Sequence, residues 1–217
     1  MTEKNGVLGI FRSRLCLMDK AEGPELTDCE LVERARQGDE RAFAELVRRH
    51  EARVAATIHG MLGDGPETDD IGQETFIRFY RSLSRFRGDS TVATYLTRIA
   101  INLSLNELKR RKRRRLLDLQ TVAAAELPTV TAEPAEWREV LEKSMERLDA
   151  GFRAVVVLRL IEGYSTRETA EILSVPEGTV LSRLSRAQKH LQKALDPYRT
   201  GGRICQTAGR KRPRSQP

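Results

Sequence analysis

A chain of 217 residues, 39% hydrophobic, 32% charged and only 5% aromatic, has room for one large or two small domains, and so charged a composition suits short amphipathic helices better than one thick core. The net charge of +7 and a pI near 9.6 favour a polyanionic partner, either nucleic acid or an anionic membrane surface. Ala154–Leu158 is the longest uncharged apolar run, far short of the ~20 residues a membrane-spanning helix needs, and three cysteines without a Cys-x-x-Cys spacing argue against both a disulfide framework and a zinc site.

Residues 1–24 read as a tail ending at Gly23-Pro24. Arg12, Ser13 and Arg14 break its apolar pieces, so a secretory signal is not expected and the cytoplasm is the expected location. From Glu25 the pattern is helical. Leu31, Val32 and Ala35 form a short face before Gly38-Asp39, and Ala42, Phe43, Leu46, Val47, His50, Val54, Ile58 and Leu62 form a longer stripe. His50 lies on that stripe without a partner at ligand spacing, so it is expected to pack rather than bind metal. Gly60, Gly63 and Gly65 precede no Gly-Lys-Ser/Thr and make a turn rather than a phosphate loop. Asp69-Asp70 starts a helix, where carboxylates favour the N-terminal dipole. In that helix Ile71, Thr75, Phe76, Phe79, Tyr80 and Leu83 are expected inward, with Gln73, Glu74, Ile77, Arg78 and Arg81 outward.

After a loop at residues 86–90, Tyr95, Leu96, Ile99, Ala100 and Leu103 mark another amphipathic helix, which ends in seven consecutive cations, Lys109 to Arg115. Such repulsion is costly unless phosphates neutralise it; a solvated basic tract is the plainer alternative. An aromatic-and-arginine loop beside a cationic track is the usual means of holding single strands. Residues 116–134, with Pro128 and Pro134, read as a linker. The acidic helix 136–148 carries the single tryptophan, Trp137, and the apolar stretch 151–161 (Phe152, Val155, Val156, Leu158, Leu160) is expected to be core beneath the segment that follows.

Ser165-Thr166-Arg167-Glu168 has capping-box spacing. The helix it opens is expected to stop at Ser174-Val175, where Pro176 suits the first position of a second helix. Val180, Leu184, Ala187, Leu191 and Leu195 form that helix's apolar stripe. At ~100° per residue, Gly178, Leu181, Ser182, Ser185, Arg186 and Lys189 fall opposite, with Thr179 and Arg183 on a flank. Small and hydrogen-bonding side chains at the front and cations at the sides are what a major groove admits. Beyond Pro197 the remaining tail carries only positive charge.

The expected fold is therefore all-α: a tail at 1–24, a helical domain at 25–115, a flexible linker at 116–134, a helix-turn-helix domain at 135–197 and a basic tail at 198–217. No nucleophile with a base, metal cluster or phosphate loop is evident, so neither enzymatic activity nor a cofactor is expected. A plain helix-turn-helix regulator would account for 165–195 but not for the first domain, and would be expected to dimerise on a palindrome.

Four motifs resemble the extracytoplasmic-function (ECF) subgroup of bacterial RNA polymerase sigma factors: residues 70–76 (Asp-Ile-Gly-Gln-Glu-Thr-Phe), 83–90 (Leu-Ser-Arg-Phe-Arg-Gly-Asp-Ser), 98–102 (Arg-Ile-Ala-Ile-Asn) and 178–187 (Gly-Thr-Val-Leu-Ser-Arg-Leu-Ser-Arg-Ala). The resemblance covers Glu30 to about Leu195. It implies a first domain that binds the clamp helices of core polymerase through Asp70, Gln73, Glu74 and Phe76. The same domain would melt the −10 promoter element with Phe86, Arg87, Tyr95, Asn102, Lys109, Arg110 and Arg113, Phe86 and Asn102 matching a pocket for a flipped base. It implies a second domain that reads the −35 element with Thr179, Leu181, Ser182, Arg183, Ser185, Arg186 and Lys189. A cognate anti-sigma factor belongs to the same implication; membrane insertion does not. Leu181 stands where the family usually has a cation, Tyr95 where a tryptophan is common, and Gly72 where a larger residue is usual.

Overall fold

The computed structural model describes residues 26–118 and 136–204. The expected N-terminal tail and most of the expected linker and basic C-terminal tail lie outside the described residues. So does the side chain of Trp137.

Four helices make the first bundle. α1 (Asp28–Arg36) begins with a capping box in which Thr27 takes the Glu30 N–H and Glu30 accepts from the Thr27 N–H. α2 (Glu40–Leu62) is capped by Asp39, which accepts from the N–H groups of Arg41 and Ala42. α3 (Pro66–Ser82) has proline at its start, where the missing N–H costs nothing, and passes through a 3₁₀ turn at Leu83–Arg85. Thr91 then caps α4 (Val92–Asp118) by accepting the Thr94 N–H at 3.1 Å. Leu46, Ile58, Met61, Phe79, Leu96 and Ile101 are the most deeply buried apolar side chains among them.

The second bundle comprises α5 (Glu136–Arg147), α6 (Ala150–Val156), α7 (Thr166–Leu173) and α8 (Glu177–Ile204). α6 is capped by Asp149 and continues into a π turn, Val157–Ile161. Val155, Ala170 and Val180 pack where α6, α7 and α8 meet, while Leu148, Val156, Ala187 and Leu191 form a second contact lower on α8. Ala154, Val157, Leu158, Tyr164 and Ile172 belong instead to the core of the first bundle. The two bundles are thus packed on each other.

Several expectations need correction. Tyr80 is half exposed, its ring edge against Phe43 at 4.9 Å with the outer part free, and Ile77 is only half-buried. Leu160, expected in the core, is exposed with Ile161. The π turn is the reason: its wider winding, in which Glu162 N–H bonds Val157 C=O, shifts these two off the inward stripe. α4 runs past residue 115 to Asp118, and α8 runs through Pro197 to Ile204, although an interior proline forfeits its own N–H bond. His50 packs as expected, half-buried, and also bonds Asp28 at 2.8 Å, tying α1 to α2.

Candidate nucleic-acid interface

The capping box at the start of α7 forms as its spacing predicts: Glu168 N–H donates to Ser165 Oγ at 3.2 Å and Ser165 N–H to the Glu168 carboxylate at 2.8 Å. These bonds hold the Glu168 carboxyl below the usual carboxylate range. α7 ends on Ser174 in the left-handed conformation, φ 53°, and the Pro176 carbonyl receives the first N–H groups of α8, from Thr179 and Val180. Val180, Ala187 and Leu191 are buried, so Gly178, Leu181, Ser182, Ser185, Arg186 and Lys189 are all exposed on the other side of α8. Thr179 and Arg183 sit half-buried on the flank. The two arginines differ. Arg186 projects from the outward face, whereas the Arg183 guanidinium lies over the first turn of α6, where a β-carbon on Gly151 would stand 3.3 Å from it.

In the first bundle a cavity of about 310 Å³ is lined by Arg85, Phe86, Arg87, Asp89, Ser90, Tyr95 and Arg98. That volume is at the small end of the ~300–1,000 Å³ usual for ligand pockets. Phe86 is not a free stacking platform: it is buried, edge-on to Tyr95 at 5.1 Å and to Phe79 at 6.1 Å. Tyr95 is the more accessible ring. Gly88 turns the loop with φ +76°, a conformation that strains any residue bearing a β-carbon. Arg36 of α1 fastens the loop from behind, donating to the carbonyls of Leu83 (2.8 Å) and Phe86. Its role had no sequence signal, since partner and donor lie some fifty positions apart.

Arg98 is the site residue that sequence reasoning passed over. It lines the cavity, and its buried Nε has no partner among the described residues. The available signal was its spacing of three from Tyr95 and four from Asn102. Asn102 does not line the cavity; it is exposed one turn further along the same face of α4. Asn106, Lys109 and Arg113 continue that exposed face.

The basic run is split by its own helix. Glu107, almost buried, pairs with Arg110 (2.7 Å) and Arg114 (2.8 Å), and Glu67 of α3 pairs with Arg111 (2.9 Å) and Arg114 (3.2 Å). Arg111 also donates to the Leu62 carbonyl. Carboxylates therefore do on this side of the helix what phosphates were expected to do, and Arg110 is turned away from the Asn102 face. Lys109, Lys112 and Arg113 are exposed and make no ion pair among the described residues.

On α3, Asp70 and Gln73 are exposed, and Glu74 is half-buried beside them, paired with Arg78 at 2.8 Å. Phe76 faces the other way, packed on the core, so it supports this face from beneath. Among the described residues no helix is long and apolar enough to cross a membrane.

The chain thus presents two separate surfaces, an outward polar and cationic face on α8 and a cationic, aromatic-lined cavity on the first bundle. The family model for Sigma-70 region 2 matches residues 46–114, and that for Sigma-70 region 4 matches residues 138–191. The RNA polymerase sigma-H factor of Pseudomonas aeruginosa is 37% identical over 182 residues, 78% of this chain and 94% of that protein. The ECF RNA polymerase sigma-E factor of Escherichia coli K12 is 35% identical over 185 residues, 80% and 96% of the two chains. Among solved structures, CnrH in complex with the cytosolic domain of CnrY superposes with a TM-score of 0.57 at 29% identity, covering 77% of this chain and 96% of that one. The sigma factor RpoE in complex with the anti-sigma factor NepR from Bartonella quintana shares the fold, with a TM-score of 0.55 at 23% identity over 71% and 96%. The chain belongs to the ECF subgroup of the sigma-70 family of RNA polymerase sigma factors. Its partners are core polymerase and promoter DNA, and members of the family are transcription regulators.

Proposed function

We propose a division of this sigma function between the two bundles and assign residues to each part. The exposed face of α3, with Asp70, Gln73 and Glu74, docks on the clamp helices of core polymerase. The cavity takes a base of the melted −10 strand against Tyr95, with Arg87 and Arg98 at its mouth and Phe86 as the ring that holds Tyr95 in place. Asn102, Lys109 and Arg113 carry the strand's phosphates along α4. On α8, Ser182, Ser185 and Arg186 read base edges of the −35 element and Leu181 meets a thymine methyl. Thr179, Arg183 and Lys189 contact the flanking phosphates. The chain performs no reaction of its own; it recognises and holds DNA for the polymerase. A cognate anti-sigma protein is part of the proposal, supported by the related CnrH having been solved with the cytosolic domain of CnrY.

The observation that carries this reading is the orientation of α8, whose buried stripe turns Ser182, Ser185 and Arg186 outward together. Transcription in vitro with core polymerase on a randomised promoter library tests it. The wild type is expected to select two separated motifs, and Arg186→Ala to relax the upstream one by ~1–3 kcal/mol at one or two positions, the value of a bidentate guanine contact. Arg183→Ala should weaken all promoters about equally. An unchanged upstream motif in Arg186→Ala would remove the assignment of this face as the reader.

A further inference from the structure

The cations from Lys109 to Arg114 are not equally available to DNA, because two carboxylates reach in among them. Glu107, its side chain 8% exposed, holds Arg110 at 2.7 Å and Arg114 at 2.8 Å, with Arg111 at 3.7 Å. Glu67, in the first turn of α3, holds Arg111 at 2.9 Å and Arg114 at 3.2 Å. Its own backbone N–H, and then Arg111 and Arg114, keep the Glu67 carboxyl below the usual carboxylate range, so it is charged at neutral pH. Arg111 is also tied to the Leu62 carbonyl at 2.9 Å. The guanidinium fits there only because residue 65 is glycine: a β-carbon on Gly65 would stand 3.0 Å from it.

The pairing follows the winding of the helix. Glu107, Arg110, Arg111 and Arg114 recur at steps of three and four and share one face of α4. Asn102, Asn106, Lys109 and Arg113 share another, about 120° round at ~100° per residue. On the first face three guanidiniums meet two carboxylates, a balance of +1 where the arginines alone would put +3. Arg110 and Arg114 are nevertheless 57% and 50% exposed. It is therefore the carboxylates, not burial, that keep these two from acting as free cations. Nonspecific DNA binding is essentially phosphate neutralisation, each phosphate contributing ~0.9 to the salt slope on a duplex, and a genome offers ~10⁶–10⁹ competing sites. A free arginine strengthens binding to all of them alike, because a phosphate contact carries no sequence information. An arginine already bonded to a carboxylate gains little by exchanging it for a phosphate.

We infer that Glu67 and Glu107 are specificity determinants: they stand in for phosphate along the Arg110, Arg111 and Arg114 face of α4, withhold those arginines from bulk duplex DNA, and leave the strand to the Asn102, Lys109 and Arg113 face. The inference rests on the proposed reading of α4 as the helix that carries the −10 strand. The two carboxylates act on what the protein does not bind. Neutralising them should release cations and strengthen binding to DNA of any sequence, whereas carboxylates that served the fold alone would, when neutralised, lower stability and leave the dependence on salt as it was.

Glu67→Gln with Glu107→Gln, in the full-length protein, keeps the shape of both side chains and removes their charge. Arg111 retains its Leu62 acceptor, so Arg110 and Arg114 are the cations released, and the slope of log affinity against log salt on random-sequence duplex should steepen by ~1.8. At 100 mM salt the affinity for that duplex should rise by at least about tenfold. Transcription by the holoenzyme from a promoter selected out of the randomised library should be half-inhibited by about tenfold less random-sequence competitor. An unchanged or shallower slope, or unchanged sensitivity to competitor, in a double variant with wild-type circular dichroism overturns the inference. Where the double variant does not fold, Arg110→Gln with Arg114→Gln decides: a loss of slope below ~1 supports the inference, and a larger loss shows that these arginines already meet phosphates and overturns it. Wild-type holoenzyme that prefers no promoter over random duplex would instead overturn the proposed function.

Discussion

If Glu67 and Glu107 neutralise one side of the basic helix, the seven cations of residues 109–115 should not act alike on DNA. Lys109, Lys112 and Arg113 are exposed without ion pairs among the described residues, while Arg110, Arg111 and Arg114 are held by carboxylates. Each phosphate neutralised on a single strand contributes ~0.7 to the slope of log affinity against log salt. Removing the three free cations together should therefore lower the slope by ~2, equivalent to roughly twentyfold in affinity over a fourfold change of salt. Replacing Arg110, Arg111 and Arg114 should change the slope by less than ~1 and lower thermal stability instead, since it leaves the almost buried Glu107 carboxylate uncompensated. Holoenzyme binding to a forked promoter with a single-stranded −10 segment, titrated from 50 to 200 mM salt, measures both. Equal losses of slope in the two triple variants would refute the division of the helix into structural and DNA-facing sides.

Gln73→Ala with Glu74→Ala should weaken core polymerase binding without altering the helical circular dichroism, because neither side chain is buried; unchanged affinity would remove that face from the polymerase contact. Phe86→Ala should unfold the first bundle more than it impairs strand opening, by ~3–5 kcal/mol for a buried phenylalanine, whereas Tyr95→Ala should reduce permanganate reactivity of −10 thymines with a smaller loss of stability. Chemical denaturation alongside footprinting separates the two effects. Gly72→Ala should stabilise the first bundle by about 1 kcal/mol, since the new methyl would meet Ile58 at an ordinary 3.9 Å; a lowered melting temperature would contradict this. Arg48 and Arg49 hold the Glu45 carboxyl down to about 2. Its contribution to stability is therefore complete above pH ~4.5, the ordinary carboxylate value, and is lost as pH falls toward about 2. Glu45→Gln should flatten the acid limb of the stability profile over that window, as followed by urea unfolding.

The helices with strong periodicity and local caps were legible in residues 28–62 and 165–195, because capping boxes and three-four stripes are written within a few positions. Most outward residues of α8 were placed from angle alone. The cavity was legible only in part. Phe86 and Tyr95 were singled out together with Asn102, yet Phe86 points into the core and Arg98 takes the place in the cavity that Asn102 was expected to hold. Aromatic type does not tell which ring faces the strand; that depends on Phe79 and on the turn held by Arg36 from another helix. Within the basic run, Arg110 was grouped with Lys109 and Arg113 for a similar reason, although it pairs with Glu107. The charges of the run are adjacent in sequence, but a helix sends them to different sides, and Glu67 reaches one side from forty positions away.

Composition, periodicity and four short motifs by themselves determined an all-α chain, its two helical bundles, its helix-turn-helix segment and its kinship with the sigma factors, since caps, stripes and motifs are each written within a few turns of sequence. Only the tertiary structure decided that the bundles are seated on each other, that α4 divides its cations between protein and solvent, and that Arg98 lines the cavity. Those outcomes depend on pairs such as Tyr164 with Thr97 and Arg111 with Glu67. Nothing local to either partner specifies such a pair, because what selects it is the desolvation of a polar group that must find its complement wherever the folded chain brings one.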